Sequence, residues 1–489
     1  MERLSEATLS RAAGDVERPR HDRRAMLPGI VHLGLGAFHR AHQAVYTEDC
    51  LAAGETGWGI VGVSLRRPDM RDALEPQDAL YTLATRDGTG ERLRVMGALA
   101  GIVVAPEAPE RLMQAMVDPR VRIVSLTVTE KGYTADMASG RLDTGLPAVM
   151  ADLAHPDRPA TAVGVIVAAL MRRRAAGVAP FTVVSCDNLA GNGGLLHRVL
   201  ADYADRVDPG LGRFVERELA CPSTMVDRIV PATTEADRAA IAARLGLRDA
   251  WPVVAEGFSE WVVEDRFPQG RPDWGRAGAL MVADVAAWER MKLRMLNGAH
   301  TLLALVGRVA GLDNVAEAVA HPAVVRLVQA FWAEVAPTLP VGADPAGYAR
   351  RLLLRFGNPA LRHPLAQIAR DASQKLPPRL IAPLLDLRRM GRPVPVLTFA
   401  LAAWMRSCDG GRDESGAEVA VDDPALSLWP GRPGPGLDAE AHVRQMMAHA
   451  PVFGDLGQDE ALVAAVAWEL ALIRAGGIVA AARRLTGEV

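Results

Sequence analysis

Residues 29–44 read GIVHLGLGAFHRAHQA. Ile30, Val31, His32 and Leu33 form a short run suited to a buried strand, and Gly34-Leu35-Gly36 closes it. A helical pattern follows through 41–52. Three further runs share the strand character: 59–65 (GIVGVSL), 122–128 (RIVSLTV) and 181–185 (FTVVS). Helical patterns lie between them, as at 108–117 and 160–176. Strands alternating with helices predict a parallel sheet covered on both faces, an α/β domain.

After about residue 283 the pattern changes. Long apolar helical stretches dominate at 285–309, 322–335, 348–356 and 460–485. Few runs there suit a strand. The expected plan is an N-terminal arm over 1–27, an α/β domain over 28–283 and a mostly helical domain over 284–489. Residues 407–437 are dense in Gly, Pro and Asp, which marks a surface excursion.

Length and composition narrow the function. At roughly 100–200 residues per domain, 489 residues suit two or three domains. Lys and Arg total 55 against 58 Asp and Glu, a net charge of −3, so no basic excess argues for nucleic acid. No apolar run reaches the ~18 residues of a membrane span. Cys50, Cys186, Cys221 and Cys408 form no CxxC pair, which suits reduced thiols better than a disulfide framework or a zinc site. The arm is rich in Arg but also carries Glu2, Glu6, Asp15, Glu17 and Asp22, unlike a transit peptide. The expected compartment is the cytoplasm.

The glycine pair Gly34 and Gly36 lets backbone approach a pyrophosphate, and the helix that follows offers free N–H groups. Phe38, His39 and Arg40 complete this candidate cofactor site, with His39 where the third glycine of the fingerprint usually stands. GxG alone also fits a tight turn without a ligand. Asp69, after the second strand, is placed to accept bonds from the adenosine ribose hydroxyls. That favours NAD. Arg66 and Arg67 beside it keep NADP open, since they could bind a 2′-phosphate.

The segment most informative about chemistry is 288–300, WERMKLRMLNGAH. At about 100° per residue from Lys292, Glu289 falls near about 60°, His300 near about 80° and Asn297 near about 140°. The remaining positions are mostly apolar, so the helix is expected to be buried with one polar sector. Burial disfavours an ammonium and makes a lysine usable as a general base. A solvated face with a Lys–Glu pair is the plainer reading. It accounts poorly for an asparagine and a histidine among apolar residues. Nearby spacings show no HxxxH or CxxC, so no metal is expected. In 185–193, SCDNLAGNG, Asn188 follows a strand and sits either to polarise a carbonyl or to make an Asx turn.

Five stretches together resemble the mannitol dehydrogenase family of long-chain polyol dehydrogenases: 34–44, 127–133 (TVTEKGY), 185–193, 223–229 (STMVDRI) and 292–300. The resemblance spans nearly the whole chain. It implies a Rossmann-type first domain, a helical second domain and a metal-independent active site between them. It makes Lys292 the base in alcohol oxidation and the acid in ketone reduction. It pairs Asn188 with Asn297 as an oxyanion hole, gives His300 a substrate hydroxyl, and puts Glu289 on the proton path. Asp227 and Glu130 count among the substrate-binding residues it implies. Amide donors aimed at a developing alkoxide are what this chemistry needs.

Within that family, 363–379 (HPLAQIARDASQKLPPR) looks more like fructuronate reductases, with Gln367 where mannitol 2-dehydrogenases tend to have arginine. Ala372 replaces the usual glycine of that pattern. Lys375, helped by Arg370, is then a cation for a hexuronate carboxylate, or else a surface lysine. The expected substrate is a small sugar acid, D-mannonate/D-fructuronate, with a polyol such as D-mannitol/D-fructose as the other reading. A nucleotide-sensing protein without turnover is the reading from another class. A monomer or small homo-oligomer is expected.

Overall fold

The computed structural model describes the chain except residues 89, 138, 360–362, 410–411, 424–425, 427–435 and 488–489. It folds as two units, Met1–Ala286 and Ala287–Val489.

In the first unit five strands form one parallel sheet: β1 (Pro28–Leu33), β2 (Gly59–Ser64), β3 (Leu99–Val104), β4 (Ile123–Leu126) and β5 (Thr182–Ser185). Their order is β3-β2-β1-β4-β5, all neighbours parallel. Successive strands step outward from β1 to one edge, and the chain then returns to β1's other side. This is the 3-2-1-4-5 strand order of a doubly wound, dinucleotide-binding sheet, with its topological switch between β1 and β4. β3 lies outside the strands expected from the sequence.

Alternation along β1 explains the two covered faces. Val31 and Leu33 join one apolar cluster with Val124, Val183 and the helix Ala162–Ala175. Ile30 joins a second cluster on the other face with Ile60, Ile123 and Val184. His32 shares Ile30's face and lies opposite Ser125 in the register. Two smaller sheets complete the unit: a hairpin, Tyr81–Asp87 and Gly90–Met96, extended by Val253–Glu256; and Thr224–Asp227 with Glu260–Glu264 and Leu280–Val282. Leu4, Ala12 and Val16 of the arm are buried with Leu80, Leu93, Leu245 and Val254.

The helix expected over 41–52 is two helices, α1 (Ala37–Ala41) and α2 (Gln43–Ala52), because the backbone breaks at His42 (φ −130°, ψ −94°).

The described residues of the second unit form helices joined by turns, with isolated bridges and no strand among them. The stretch expected as one helix over 285–309 has three parts. These are α3 (Ala286–Met291), a π-helical segment Lys292–Asn297, and α4 (Gly298–Val309). α4 is buried among α5 (Pro322–Val335) and α6 (Pro395–Cys408). Gly298 makes the packing possible: a Cβ there would stand 2.7 Å from the Phe331 ring and 3.3 Å from the carbonyl oxygen of Arg379. The helix expected over 460–485 breaks at Gly477 (φ +86°) into Glu460–Gly476 and Ile478–Leu485. Much of the expected excursion over 407–437 lies outside the described residues. No helix of the described residues is long and apolar enough to cross a membrane.

Candidate active site

In the first unit a cavity of about 900 Å³ opens at the carboxyl ends of the strands. Gly34, Gly36, Ser64, Asp69, Thr127 and Thr161 are among its lining residues. Gly34 has φ +95°, and a Cβ there would lie 2.2 Å from the carbonyl oxygen of Thr127, so only glycine fits. A Cβ on Gly36 would meet nothing closer than 3.7 Å. The space a side chain would take there is open to a ligand. α1 opens at Ala37 with the first-turn amides of Ala37, Phe38 and His39, which lack intrahelical acceptors. Backbone N–H groups over an open glycine turn suit a pyrophosphate. Asp69 begins a short helix, Asp69–Leu74, and stands exposed at the rim beside the equally exposed Arg66 and Arg67.

Two expected cofactor residues are placed differently as side chains. His39 is fully buried and stacks on His32, with ring centroids 3.4 Å apart. Arg40 is buried, donates to the carbonyl of Trp251 at 2.6 Å and lies over the Tyr81 ring. Both side chains turn into the protein, which leaves only their backbone for a cofactor. Phe38 is half-buried and stacks on His42.

His32 supports the turn from beneath. One ring nitrogen bonds Ser125 Oγ at 2.8 Å and the other Thr127 Oγ1 at 3.0 Å. Ser125 Oγ in turn donates to Gln43 at 2.8 Å. Burial pulls the His32 imidazole down to about 3, so it stays neutral in this network. Asp187 does similar work on the 127–133 stretch. Its carboxylate accepts the amides of Val128 (3.0 Å) and Thr129 (3.1 Å) and the Tyr133 hydroxyl (3.0 Å). Thr129 is held at φ +65°, an uncommon conformation for a β-branched residue and one that gathers at functional sites. Glu130 follows it, exposed. Asn188 is exposed just past β5, and Asp227 is buried as the last residue of its strand.

In the second unit Lys292 is 7% exposed and His300 8% exposed, while Glu289 and Asn297 are half-buried. The 100° wheel does not hold across 292–297. The Gly298 amide reaches back to the Leu293 carbonyl, five residues earlier, as a π turn requires. Residues five apart therefore stand one turn apart, and Asn297 sits a π turn after Lys292. Each π residue rotates less than an α residue, so Asn297 and His300 swing back toward Lys292's direction. Three anchors hold the segment. Trp332 Nε1 donates to the Met295 carbonyl at 2.9 Å. Arg294 donates to the Thr338 carbonyl (3.0 Å) and to Asp386. Thr301 Oγ1 donates to the Asn297 carbonyl at 3.0 Å.

The His300 ring packs on Phe356 (centroids 4.5 Å) and edge-on to His363 (5.3 Å). Its Nε2 is buried without a protein partner, a polar atom that a substrate hydroxyl would satisfy. Burial, then the positive charge of His363, Arg355, Arg379 and Lys292, holds His300 well below the usual imidazole range. It is therefore a neutral hydrogen-bonding group.

The residues proposed to hold a carboxylate are placed otherwise. Lys375 Nζ donates to the carbonyls of Ile368 (3.0 Å) and Arg370, so it closes the end of the short helix Leu365–Ile368. Arg370 pairs with Asp422 at 2.9 Å on the surface. Gln367 is exposed on that same helix. The left-handed residue of this turn is Asp371 (φ +50°), and Ala372 starts the next helix, so the turn does not need a glycine at 372. Arg379, not singled out from the sequence, donates to Thr301 Oγ1 at 3.1 Å. Among the described residues no group of three or more His, Cys, Asp or Glu could hold a metal.

The chain is similar to known proteins over its whole length. It is 44% identical to D-mannonate oxidoreductase of Escherichia coli (strain K12) over 84% of this chain and 86% of that protein. It is 41% identical to mannitol 2-dehydrogenase of Cereibacter sphaeroides over 96% and 98%. The solved ternary complex of Pseudomonas fluorescens mannitol 2-dehydrogenase with NAD and D-mannitol superposes with a TM-score of 0.86 at 34% identity, covering 100% of both chains. Residues 28–276 match the mannitol dehydrogenase Rossmann domain and residues 284–473 the mannitol dehydrogenase C-terminal domain, so the chain belongs to the mannitol dehydrogenase family.

Proposed function

We propose that this protein interconverts a secondary alcohol and a ketone on a sugar-derived chain, with Lys292 as the proton-transfer group. It is an NAD-dependent dehydrogenase of its family. The observation that carries the reading is local: a buried lysine shares one π-helical turn with Asn297, one α turn before a buried histidine with an unsatisfied nitrogen.

Bound NAD would supply the acceptor for the carbinol hydrogen, taken as hydride. Gly34, Gly36 and the amides opening α1 would hold its pyrophosphate, and Asp69 its ribose. In oxidation Lys292 takes the hydroxyl proton as the C–H bond breaks, leaving a ketone. In reduction the same amine returns the proton to the oxygen. Asn297 and Asn188 donate amide N–H to that oxygen as charge develops. Neutral His300 binds a neighbouring hydroxyl through Nε2, and Glu289 passes protons to and from Lys292. Glu130 and Asp227 bind substrate hydroxyls.

For the substrate, a polyol and its ketose, such as D-mannitol and D-fructose, are the better supported pair. The mannitol 2-dehydrogenases named above match almost end to end. A second reading, D-mannonate and D-fructuronate, is favoured by Gln367 in place of arginine and by the D-mannonate oxidoreductase match. The test is NADH oxidation with D-fructose and D-fructuronate, before and after dialysis against a chelator. Turnover of either ketone that survives the chelator is expected. NADH binding without turnover of any ketose or keto acid would leave a nucleotide-sensing role instead.

A further inference from the structure

Arg379 is a partly buried guanidinium that no carboxylate pairs with among the described residues. Every other cation of the 363–379 stretch has its charge answered. Arg370 has Asp422, and Lys375 has two backbone carbonyls. Among the described residues Arg379 has only the neutral hydroxyl of Thr301. A charge taken from water without a counter-ion is unfavourable. It persists where a ligand supplies the missing charge.

Its position is specific. Thr301 follows His300 directly, and its hydroxyl donates to the Asn297 carbonyl, so Arg379 is two hydrogen bonds from the backbone of one proposed substrate ligand. Arg379 and Lys292 both bear electrostatically on His300. Burial is the sole influence resolved on the Arg379 guanidinium, which is pulled down to about 10 with no acid to raise it. A guanidinium offers a planar fork of N–H donors that matches a carboxylate in two parallel bonds. One fork is free for this, since a single Nη1 contact to Thr301 uses only part of it.

We infer that Arg379 is a specificity-determining residue that binds the carboxylate of a sugar-acid substrate beside His300. The inference rests on the dehydrogenase reading above and, against the likeness to the mannitol 2-dehydrogenases, favours the second of its two substrate pairs. The substrate class is a keto-hexuronate and its hexonate. A neutral ketose has nothing to answer the charge and is the poorer substrate.

The experiment is steady-state reduction of D-fructuronate and D-fructose with NADH by wild type, Arg379→Lys and Arg379→Gln. Wild type should show the higher kcat/KM for fructuronate. Arg379→Gln should lose at least about 100-fold on fructuronate, mainly in KM, and less than about 10-fold on fructose. Arg379→Lys should recover part of the loss because it restores charge without the fork. In wild type, D-gluconate should inhibit fructose reduction competitively and more strongly than D-sorbitol, a readout independent of how the variants fold. Equal losses on both substrates, a wild type that prefers fructose, or equal inhibition by the acid and the polyol would overturn the role of Arg379 and leave the dehydrogenase reading standing. No turnover of either ketone would overturn both.

Discussion

The indole Nε1 of Trp332 donates to the carbonyl of Met295 at 2.9 Å, inside the π-helical turn that runs from Lys292 to Asn297. A π turn shifts carbonyls out of their α partners. The Gly298 amide divides itself between the Leu293 and Met295 carbonyls, and Trp332 supplies Met295 with its second bond. The turn that sets the Lys292–Asn297 spacing is thus held from a neighbouring helix.

Trp332→Phe keeps an aromatic ring and removes that donor. A weakened bond at a buried carbonyl should lower the unfolding free energy by about 1–3 kcal/mol. If the turn relaxes toward α geometry, Asn297 moves away from Lys292's direction, and kcat should fall by roughly tenfold, since about 1.4 kcal/mol of barrier is tenfold in rate. Urea unfolding and steady-state kinetics measure both. Stability and kcat both at wild-type level would show that the bond does not hold the turn.

Lys292→Ala tests the chemistry directly. Loss of a general base lowers kcat by at least ~10²-fold. The cofactor cavity lies wholly among residues of the first unit, so NADH affinity should be unchanged. Fluorescence titration of NADH checks the second point and a stopped assay the first. Near-normal turnover in the variant would remove Lys292 from the mechanism.

The sheet was legible because its central strands are continuous apolar runs, and buried parallel strands need little else. β3 was missed because Leu99–Val104 follows a hairpin with no helical pattern between, so the βα alternation lapsed there. The break at His42 was hidden because both sides keep helix-forming residues. At the site, residue types were readable and directions were not. Lys292, Asn297 and His300 are conspicuous polar residues in an apolar stretch, but a wheel at constant pitch cannot register a π turn. His39 and Arg40 looked like cofactor groups because they follow the glycines. His39 is buried against His32, seven residues back on the strand, and Arg40 against Tyr81 and Trp251, which are distant in sequence. Lys375 looked like a free cation because nothing in its neighbourhood of sequence shows that two carbonyls fold back onto it. Arg379 carried a signal in the same stretch, as the last cation after two prolines.

Asp69 lines the same cavity as the glycine turn and two exposed arginines, Arg66 and Arg67. Its carboxylate can accept from ribose hydroxyls and repels a 2′-phosphate, whereas Arg66 and Arg67 attract one. NADH should be preferred over NADPH in wild type. Asp69→Ala should shrink that preference by roughly tenfold or more, about 1.4 kcal/mol, chiefly through tighter NADPH binding. Ratios of kcat/KM for the two cofactors measure it. A wild type that prefers NADPH would mean that the arginines set the choice.

Glu48 supplies a pH test of the first unit that is independent of catalysis. Its side chain is fully buried. One carboxyl oxygen accepts the Gly97 amide at 2.8 Å, and the other lies 3.4 Å from Nδ1 of His21 in the arm. Burial, only partly offset by that amide and by Arg94 and Arg23, pushes the carboxyl up from 4.5 to about 7. A folded-state value above the unfolded one means that the folded protein binds the proton more tightly. The stability this contributes is complete below about pH 4.5 and is lost as pH rises toward and through about 7, by roughly 3 kcal/mol at most. His21, lowered by burial, tilts the opposite way below its ordinary 6.5 and is present in both proteins compared. Glu48→Gln cannot titrate. Between pH 5 and pH 8 the wild type should therefore lose stability relative to Glu48→Gln, which should be the more stable of the two at pH 8. Urea unfolding at the two pH values gives the difference. Parallel stability curves for the two proteins would show that Glu48 titrates near its ordinary value and that the buried arm contact carries no proton.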